Sequence, residues 1–494
     1  MNIRQAKETI GNTVRSYLEK DDDGAYYIPA VQQRPLLLMG PPGIGKTAIV
    51  EQLAAEYGIG LVSYNMTHHT RQSAVGLPHP ADREYNGKTV TVTEYTLSEI
   101  VASVYDCMED TGKREGILFI DEINCVSETL APCMLQFLQK KRFGSWQIPE
   151  GWVIVAAGNP RVFNRSARDY DIAVLDRLRT LSVQPDLDVW MSYAQKDGVH
   201  GAVLSYLAFH REHFFIVRQD KETTEYVTAR GWQDLSTLLF SCERLEIRVD
   251  QDLVFSYLAV REIAEAFTDY YMLFRKCRQD MEKYGNGSAA GWGSWLSVLS
   301  SMAESSDSQE CHILAGLLLE KLGTAFARYA KEEMLLSLGA QRFEETERTL
   351  KARNTDEEPL LLVLGLLEKW KESLRVRSGY HLITEQEERL ERSSLHLLHR
   401  TIQTARESHR TDAASLLSSV SDLLVTRTRE HEKYCADTQK LLTEAVRFAE
   451  EHLPEKEQHF LIMELAGNEN AVSFLSSHGC DAFFRFSRKY LGDL

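Results

Sequence analysis

An eight-residue stretch, Gly40-Pro-Pro-Gly-Ile-Gly-Lys-Thr47, constrains the fold of this chain more than any other feature of its sequence. It matches the pattern GxxxxGK[ST], follows the apolar, strand-like run Leu36–Met39 and opens a helical stretch over Thr47–Tyr57, which Gly58 ends. Glycines let a backbone approach phosphate oxygens closely, and the amides at the start of a helix attract negative charge. Strand, loop and helix together predict a phosphate-binding turn rather than a chance glycine turn.

The loop predicts a nucleotide site whose expected ligands are ATP and Mg²⁺. Lys46 should reach the β- and γ-phosphates, and the Thr47 hydroxyl should bind Mg²⁺. The residues expected to contact the nucleotide are Gly40, Pro41, Pro42, Gly43, Ile44, Gly45, Lys46, Thr47 and Ala48.

Two further strand-like runs end in polar residues suited to hydrolysis. The run Ile117–Ile120 ends in Asp121, which suits a Mg²⁺ ligand, and Glu122, which can orient and deprotonate an attacking water. The run Val153–Ala157 leads into Gly158 and Asn159, and an amide at that end of a strand can position water beside the γ-phosphate. The alternative for Asn159 is a structural residue that caps a turn.

Proline usage divides the chain into two regions. Ten of the 12 prolines lie in residues 1–185, where short apolar runs alternate with helical stretches, as βαβ units around a buried parallel sheet require. Beyond residue 185, only Pro359 and Pro454 occur, and 3.6-residue periodicity predicts long helices. The predicted fold class is α/β followed by all-α, with domains at 1–185, 186–280 and 281–494.

Composition narrows the function classes. The chain has 494 residues and a net charge of −16, with 19 lysines and arginines against 22 acidic residues in 1–185 and 37 against 50 beyond. An acidic chain repels phosphate backbones, which speaks against general duplex binding. The eight cysteines form no CxxC pair, and His68 and His69 lack a third ligand at metal spacing, so we expect reduced thiols and no zinc site. Without a signal core or a membrane-length apolar run, a cytoplasmic location is expected.

These motifs together resemble an AAA+ ATPase over roughly residues 1–275. Gly40–Thr47 is similar to that superfamily's Walker A motif, Leu118–Glu122 to its Walker B motif and Asn159 to its sensor 1. The sequences AAGNP at 156–160 and VLDRL at 174–178 resemble signatures of the MoxR-like branch, which is related to the dynein-type modules. The resemblance implies an AAA+ core followed by an α-helical lid and, beyond it, a long helical region.

Two arginine roles follow from the resemblance. Arg177 matches the arginine that in the family reaches the γ-phosphate of a neighbouring subunit, with Arg179 as the alternative, although Leu178 stands where the branch usually has Phe. Arg230 lies at the start of a predicted lid helix, as sensor 2 does. A solvated surface cation is the other interpretation of each arginine.

Two loops resemble segments that in the family face a central pore. Asn86-Gly87 lies between strand-like flanks in residues 82–93, which predicts a type I′ hairpin, and Thr96-Leu-Ser-Glu99 predicts a capping box for the next helix. Residues 142–151 resemble the family's pre-sensor hairpin. The candidate substrate contacts are therefore Tyr85, Phe143 and Trp146, unless they only cover the core.

The predicted function is that of an ATP-hydrolysing ring ATPase, a hexamer by resemblance, that remodels or helps to assemble a protein partner. The resemblance makes a von Willebrand A-domain protein a candidate partner. A nucleic-acid motor or restriction-type ATPase is the alternative, which the acidic charge and the lack of basic clusters beyond the core oppose. A degenerate ATPase that serves as a scaffold is the third possibility, which the intact Lys46, Asp121, Glu122 and Asn159 oppose.

Overall fold

The computed structural model forms two compact units, Met1–Asp186 with Lys369–Arg389, and Leu187–Glu368 with Leu390–Leu494. It describes residues 1–68, 76–127, 130–143, 146–164, 166–168, 170, 172–219, 224–282, 299–300, 308–352, 358–380 and 382–491. The fold class is as predicted, because a parallel sheet in the first part of the chain is followed by a long helical region. The division into three domains stays a prediction.

The first unit is built on a five-stranded parallel sheet of order β2-β5-β8-β1-β9. Its strands are β1 (Leu36–Met39), β2 (Gly60–Asn65), β5 (Gly116–Asp121), β8 (Trp152–Gly158) and β9 (Arg179–Ser182). Three of these, β1, β5 and β8, coincide with the apolar runs that predicted them. Two small hairpins complete the strands of this unit, β3 (Pro78–Tyr85) with β4 (Lys88–Tyr95), and β6 (Arg142–Phe143) with β7 (Trp146–Gln147).

Helices cover both faces of the sheet. They are α1 (Ile3–Leu18), α2 (Lys46–Tyr57), α3 (Glu99–Thr111), α4 (Ala131–Lys140) and the short α5 (Ile172–Leu175). Alternate residues of each strand point to opposite faces, so Leu36 and Leu38 pack with α1 and α2, whereas Leu37 packs with α3 and α4. A sheet that is buried on both faces needs continuous apolar strands, and the three central strands β5, β8 and β1 have them, whereas the edge strands β2 and β9 are apolar only in part.

The hairpin β3–β4 is confirmed, but the capping box after it is wrong. Asn86 and Gly87 both have positive φ, as a type I′ turn requires. Helix α3 begins at Glu99 behind Ser98, whose side chain makes no capping hydrogen bond. The Thr96 hydroxyl instead accepts a hydrogen bond from the backbone N–H of Leu77 at 2.9 Å, which closes the base of the hairpin.

The segment 369–389 belongs to the first unit although it lies far along the chain. Its residue Tyr380 packs against the cluster around α3, and the Tyr380 hydroxyl donates to the carboxylate of Asp110. This hydrogen bond, together with burial, raises the pKa of Tyr380.

The second unit is mainly helical, but it also contains a two-stranded hairpin that the sequence had not predicted, β10 (Ile216–Gln219) with β11 (Thr224–Val227). Its first helices are α6 (Leu187–Lys196), α7 (Gly201–Phe209), α8 (Ala229–Arg244), α9 (Gln251–Phe255) and α10 (Arg261–Glu282). The later ones are α11 (Ser308–Ala352), α12 (Pro359–Gly379), α13 (Glu385–Glu407), α14 (Ala413–His452), α15 (Glu455–Gly467), α16 (Glu469–His478) and α17 (Asp481–Leu491); α12 and α13 each have one end in the first unit.

One large apolar cluster joins these helices except α12 and α13, with the aromatic side chains of Tyr206, Trp232 and Phe326 among its fully buried members. Within the described ranges, no helix is both long and apolar enough to cross a lipid bilayer.

Lys141 is a buried cation that connects three parts of the first unit. It follows the last residue of α4 with a φ of 50°, and only 5% of its surface is exposed. Its Nζ donates to the Gln33 Oε1 at 2.7 Å and to the Trp152 carbonyl oxygen at 3.1 Å. Burial lowers the pKa of the Lys141 ammonium to about 8, because removal from water disfavours the charged form.

We predict that replacing Lys141 by Met changes how stability depends on pH. In the wild type the unfolded chain binds more protons between about pH 8 and 10.5, so the Lys141 contribution to stability rises with pH over that window. Across this window, the free energy of unfolding of the wild type should rise by about 3 kcal/mol relative to that of Lys141→Met. Urea unfolding of both proteins at pH 7.5 and 10 measures the difference; a constant difference would show that the ammonium is not desolvated.

Candidate active site

The phosphate loop adopts a backbone that only glycine tolerates well at two positions. Gly43 has a φ of 75° and Gly45 a φ of 89°, and α2 begins at the next residue, Lys46. At Gly40 the restriction is steric, because a Cβ atom would lie 2.7 Å from the carbonyl oxygen of Val183. The loop therefore turns tightly from β1 into the amino end of α2, which presents backbone N–H groups to an anion.

The Lys46 ammonium lies inside the loop and reaches the neighbouring strand. Its Nζ donates to the carbonyl oxygens of Gly40 (2.9 Å) and Pro41 (2.8 Å) and to the side-chain Oδ1 of Asn159 (2.8 Å). The contact with Asn159 is possible because β8 pairs in parallel with β1, with Gly158 opposite Met39. The structure thus brings the predicted phosphate-binding lysine and the predicted sensor amide into direct contact.

Thr47 and Asp121 form an oxygen-rich pair beside this lysine. The Thr47 hydroxyl donates to the Asp121 Oδ2 at 3.3 Å, and the other oxygen of Asp121 accepts the backbone N–H of Glu122 at 2.8 Å. A hydroxyl and a carboxylate at this spacing are ligands that Mg²⁺ prefers. The residues present therefore fit a magnesium ion held by Thr47 and Asp121.

Glu122 has an uncommon backbone conformation for a glutamate. Its φ of 53° and ψ of 35° lie in the left-handed region, and its side chain is half-buried. A non-glycine residue in that region costs free energy and persists only where its surroundings enforce it. Here the preceding carboxylate holds the Glu122 N–H, and a 3-10 turn over Ile123–Cys125 follows at once.

Asn124, which the sequence analysis did not select, connects that turn to the sensor strand. Its side chain is 2% exposed, and its Nδ2 donates to the backbone carbonyl oxygen of Asn159 at 2.7 Å. The only sequence signal was its position three residues after Asp121.

Two of the three arginines, Arg177 and Arg179, lie at the end of the sheet opposite this cluster. Arg177 is exposed and just precedes β9, and Arg179 is the first residue of that strand. Arg179 pairs with Leu36 at the amino end of β1, whereas the phosphate loop follows Met39 at the carboxyl end. The Arg179 side chain donates to the Thr13 hydroxyl of α1 at 2.7 Å. Arg230 is exposed in the first turn of α8, in the second unit.

The candidate substrate contacts differ in their burial. Tyr85 is 53% exposed and Trp146 is 40% exposed. Phe143 is buried and stacks on Phe137 with ring centroids 4.1 Å apart. The substrate-contact assignment of Phe143 is therefore wrong, since its ring is part of the core. The sequence analysis expected no zinc site at His68 and His69. The side chain of His68 and all of His69 lie outside the described residues.

We predict that Glu122→Gln retains ATP binding but loses nearly all turnover. The amide has the same shape as the carboxylate but cannot accept a proton from water, a role worth about 10²–10⁴-fold in rate. Lys46→Ala is the contrasting variant, because it removes the cation that we expect to contact phosphate and should weaken binding itself. Calorimetry with ATP and phosphate-release assays separate the two defects. Near-normal hydrolysis by Glu122→Gln would contradict its role as base.

Comparison with known proteins places the phosphate loop, both acidic residues and Asn159 in one family region. Residues 36–168 match the family described as ATPase family associated with various cellular activities (AAA). The chain is also similar to the replication factor C large subunit of Pyrococcus horikoshii, with 28% identity over 142 residues. That match covers 29% of this chain, which spans about a quarter of the length of that relative. Residues 36–168 of the chain therefore have the sequence of an AAA ATPase domain.

Proposed function

We propose that this chain is a Mg²⁺-dependent ring ATPase of the MoxR-like branch that remodels a protein partner or assists its assembly. The observation that carries the proposal is the cluster of Lys46, Thr47, Asp121 and Asn159 at the carboxyl end of the sheet, with Arg177 exposed at the opposite end. A von Willebrand A-domain protein is the partner that the MoxR resemblance suggests.

In this proposal the residues divide the work of ATP hydrolysis. Lys46 and the loop amides bind the phosphates, and a magnesium ion held by Thr47 and Asp121 would neutralise phosphate charge. Asn159 orients a water molecule toward the γ-phosphorus. Glu122 accepts a proton from this water as its oxygen bonds to phosphorus and the bond to the bridging oxygen breaks, which releases ADP and phosphate.

The position of Arg177 supports a site that is shared between subunits. Along β1, the three residue steps from Leu36 to Met39 span about 10 Å, and Arg177 lies two residues before the partner of Leu36. An arginine side chain is too short to cover that distance to the phosphate loop of its own chain. If Arg177 contacts a nucleotide, that nucleotide belongs to a neighbouring subunit, and a closed ring supplies such neighbours at every site. We propose a hexamer.

The exposure of the hairpin β3–β4 supports a role in contacting a substrate or a neighbouring subunit. Most of its residues are exposed on both faces, including Tyr85 at the turn. The Trp146 Nε1 donates to the Tyr95 carbonyl oxygen at 3.0 Å, which joins the hairpin β6–β7 to β3–β4. We propose that Tyr85 and Trp146 contact the protein substrate and that the two hairpins move together.

The lid assignment of Arg230 remains part of this proposal. The Thr228 side chain caps α8 by accepting the N–H of Gly231 at 3.1 Å, so the first turn of that helix, which carries Arg230, has a defined conformation. We propose that Arg230 contacts the nucleotide as sensor 2.

A nucleic-acid function is the second candidate, and the similarity to a replication factor C subunit favours it. The net charge of −16 opposes it, since nucleic-acid affinity is dominated by cation–phosphate contacts. Adding single- or double-stranded DNA oligonucleotides at 50–150 mM salt should leave the rate of ATP hydrolysis unchanged. A salt-sensitive stimulation of several-fold would favour the nucleic-acid function over protein remodelling.

We predict that Arg177→Ala binds ATP normally and hydrolyses it poorly. Loss of an arginine that neutralises the transferring phosphoryl group costs about 10³–10⁵-fold in rate in related chemistry. Mixing Arg177→Ala with Lys46→Ala subunits should restore part of the activity, because some interfaces then combine an intact loop with an intact arginine. Phosphate release by each variant and by the mixture measures the effect.

Arg179→Ala is the matched control. Its side chain is held by Thr13 within its own chain, so we expect a change in stability rather than a defect that mixing can rescue. If mixed rings of Arg177→Ala and Lys46→Ala form and stay inactive, the shared site is wrong. A rescuable defect in Arg179→Ala would instead transfer the role to that residue.

A further inference from the structure

Asn124 occupies a buried position between the two strands that carry the acidic residues and the sensor amide. It is the middle residue of the 3-10 turn Ile123–Cys125, two residues after Glu122, and 2% of its surface is exposed. A buried amide has to satisfy several hydrogen-bonding atoms, so its contacts show what it holds.

Both the side chain and the backbone of Asn124 are engaged. The Nδ2 donates to the Asn159 carbonyl oxygen at 2.7 Å, and the Asn124 carbonyl oxygen accepts the backbone N–H of Arg168 at 2.9 Å. On the strand side the fit is tight, because a Cβ atom at Gly158 would lie 2.6 Å from the Asn124 Oδ1. The turn that follows Glu122 therefore lies directly against the end of β8.

We propose that Asn124 is a positioning residue that fixes the distance between Glu122 and Asn159. The inference rests on the roles given to those two residues in the proposed function. Glu122 precedes the turn, and the Asn159 carbonyl oxygen accepts the hydrogen bond from Asn124. Beyond the last paired residues of β5 and β8, Ile120 and Ala156, this contact therefore links the group that takes the proton to the group that orients the water. Hydrolysis needs both groups in register with one water molecule, and small displacements reduce its rate strongly.

The chemistry of the contact requires an amide. Asn159 presents a carbonyl oxygen, so the partner must donate, and an aspartate of the same shape would place a second acceptor against it. Only a protonated carboxyl group could restore the donor. Asn124→Asp therefore tests hydrogen-bond donation at almost constant volume, whereas Asn124→Ala removes the amide altogether.

The first measurement is the steady-state kinetics of Asn124→Asp. At pH 8 we expect kcat to fall about ten- to a hundredfold with little change in ATP affinity, since an unsatisfied buried acceptor is costly and the phosphate loop is untouched. Asn164→Asp is the matched control, because it introduces the same charge nearby at an amide that in the wild type donates to the Cys125 sulfur rather than to Asn159. It should keep kcat within about twofold. A similar value for Asn124→Asp would overturn the proposal.

The pH dependence separates donation from packing. The ratio of kcat for Asn124→Asp to wild type should rise as pH falls from 8 to 6, because a buried aspartic acid regains its proton and with it a donor. The ratio for Asn124→Ala should stay flat. All three proteins keep the other titratable groups around the turn, so the ratio cancels the effects of their titration. These groups are Asp121, Glu122, Cys125, Tyr170 and Lys46. If the two ratios change with pH in the same way, the proposed role of Asn124 as a hydrogen-bond donor is wrong.

A third measurement does not depend on ATP hydrolysis. Cys125 lies on the same turn, half-buried, and burial raises the pKa of its thiol. The Cys125 Sγ donates weakly to the Asn124 Oδ1 at 3.9 Å, so rates are compared at the high-pH plateau, where the thiol is fully ionised and a changed thiol pKa no longer matters. If Asn124 holds the turn, Asn124→Ala should speed alkylation of Cys125 by iodoacetamide several-fold there, with Cys107 and the other cysteines as internal references for intact folding. Mass spectrometry of the Cys125 peptide gives the rate.

The outcomes distinguish this inference from the proposed function. A wild-type chain without ATPase activity would refute the proposed function, while faster Cys125 alkylation in Asn124→Ala would still show that Asn124 fixes the turn. Unchanged alkylation would overturn the positioning role, whatever the activity.

Discussion

Strand β1 is the element on which the rest of the site depends, because it pairs in parallel with a different partner on each side. Its pairing with β8 places Gly158 opposite Met39, so the phosphate loop and Asn159 emerge side by side. Its pairing with β9 places Arg179 opposite Leu36, at the other end of the sheet. Parallel strands direct all their carboxyl ends to one edge, and this geometry gathers the proposed hydrolytic residues there while it keeps Arg177 away.

The Lys46 ammonium links the parts of this edge. Its three hydrogen-bond donors are matched by oxygen atoms of Gly40, Pro41 and Asn159, which compensates a largely buried charge. A phosphate that binds Lys46 has to compete with these acceptors. In the proposed function, nucleotide binding therefore changes the environment of the Asn159 side chain, while the hydrogen bond from Asn124 holds its backbone in place.

Local patterns predicted the elements well and the contacts between them poorly. The type I′ turn at Asn86-Gly87 follows from two residues that tolerate positive φ, and its hairpin formed as expected. The capping box at Thr96 failed because its hydroxyl has a tertiary partner, the N–H of Leu77. The sequence analysis placed Phe143 in a loop as a candidate substrate contact, but its ring stacks on Phe137 of α4 and is buried. In each failure a partner outside the short motif changed the role of a side chain.

The sequence by itself determined the parallel sheet, the phosphate loop and the identity of the residues that follow β5 and β8, because short-range sterics and hydrophobic periodicity act within a few residues. Only the tertiary structure decided that Lys46 contacts Asn159, that Asn124 bridges two strands and that residues 369–389 join the first unit. These contacts depend on strand order and on close approaches between groups, such as that of the Asn124 side chain to the backbone of Gly158. Neither leaves a periodic signal along the chain.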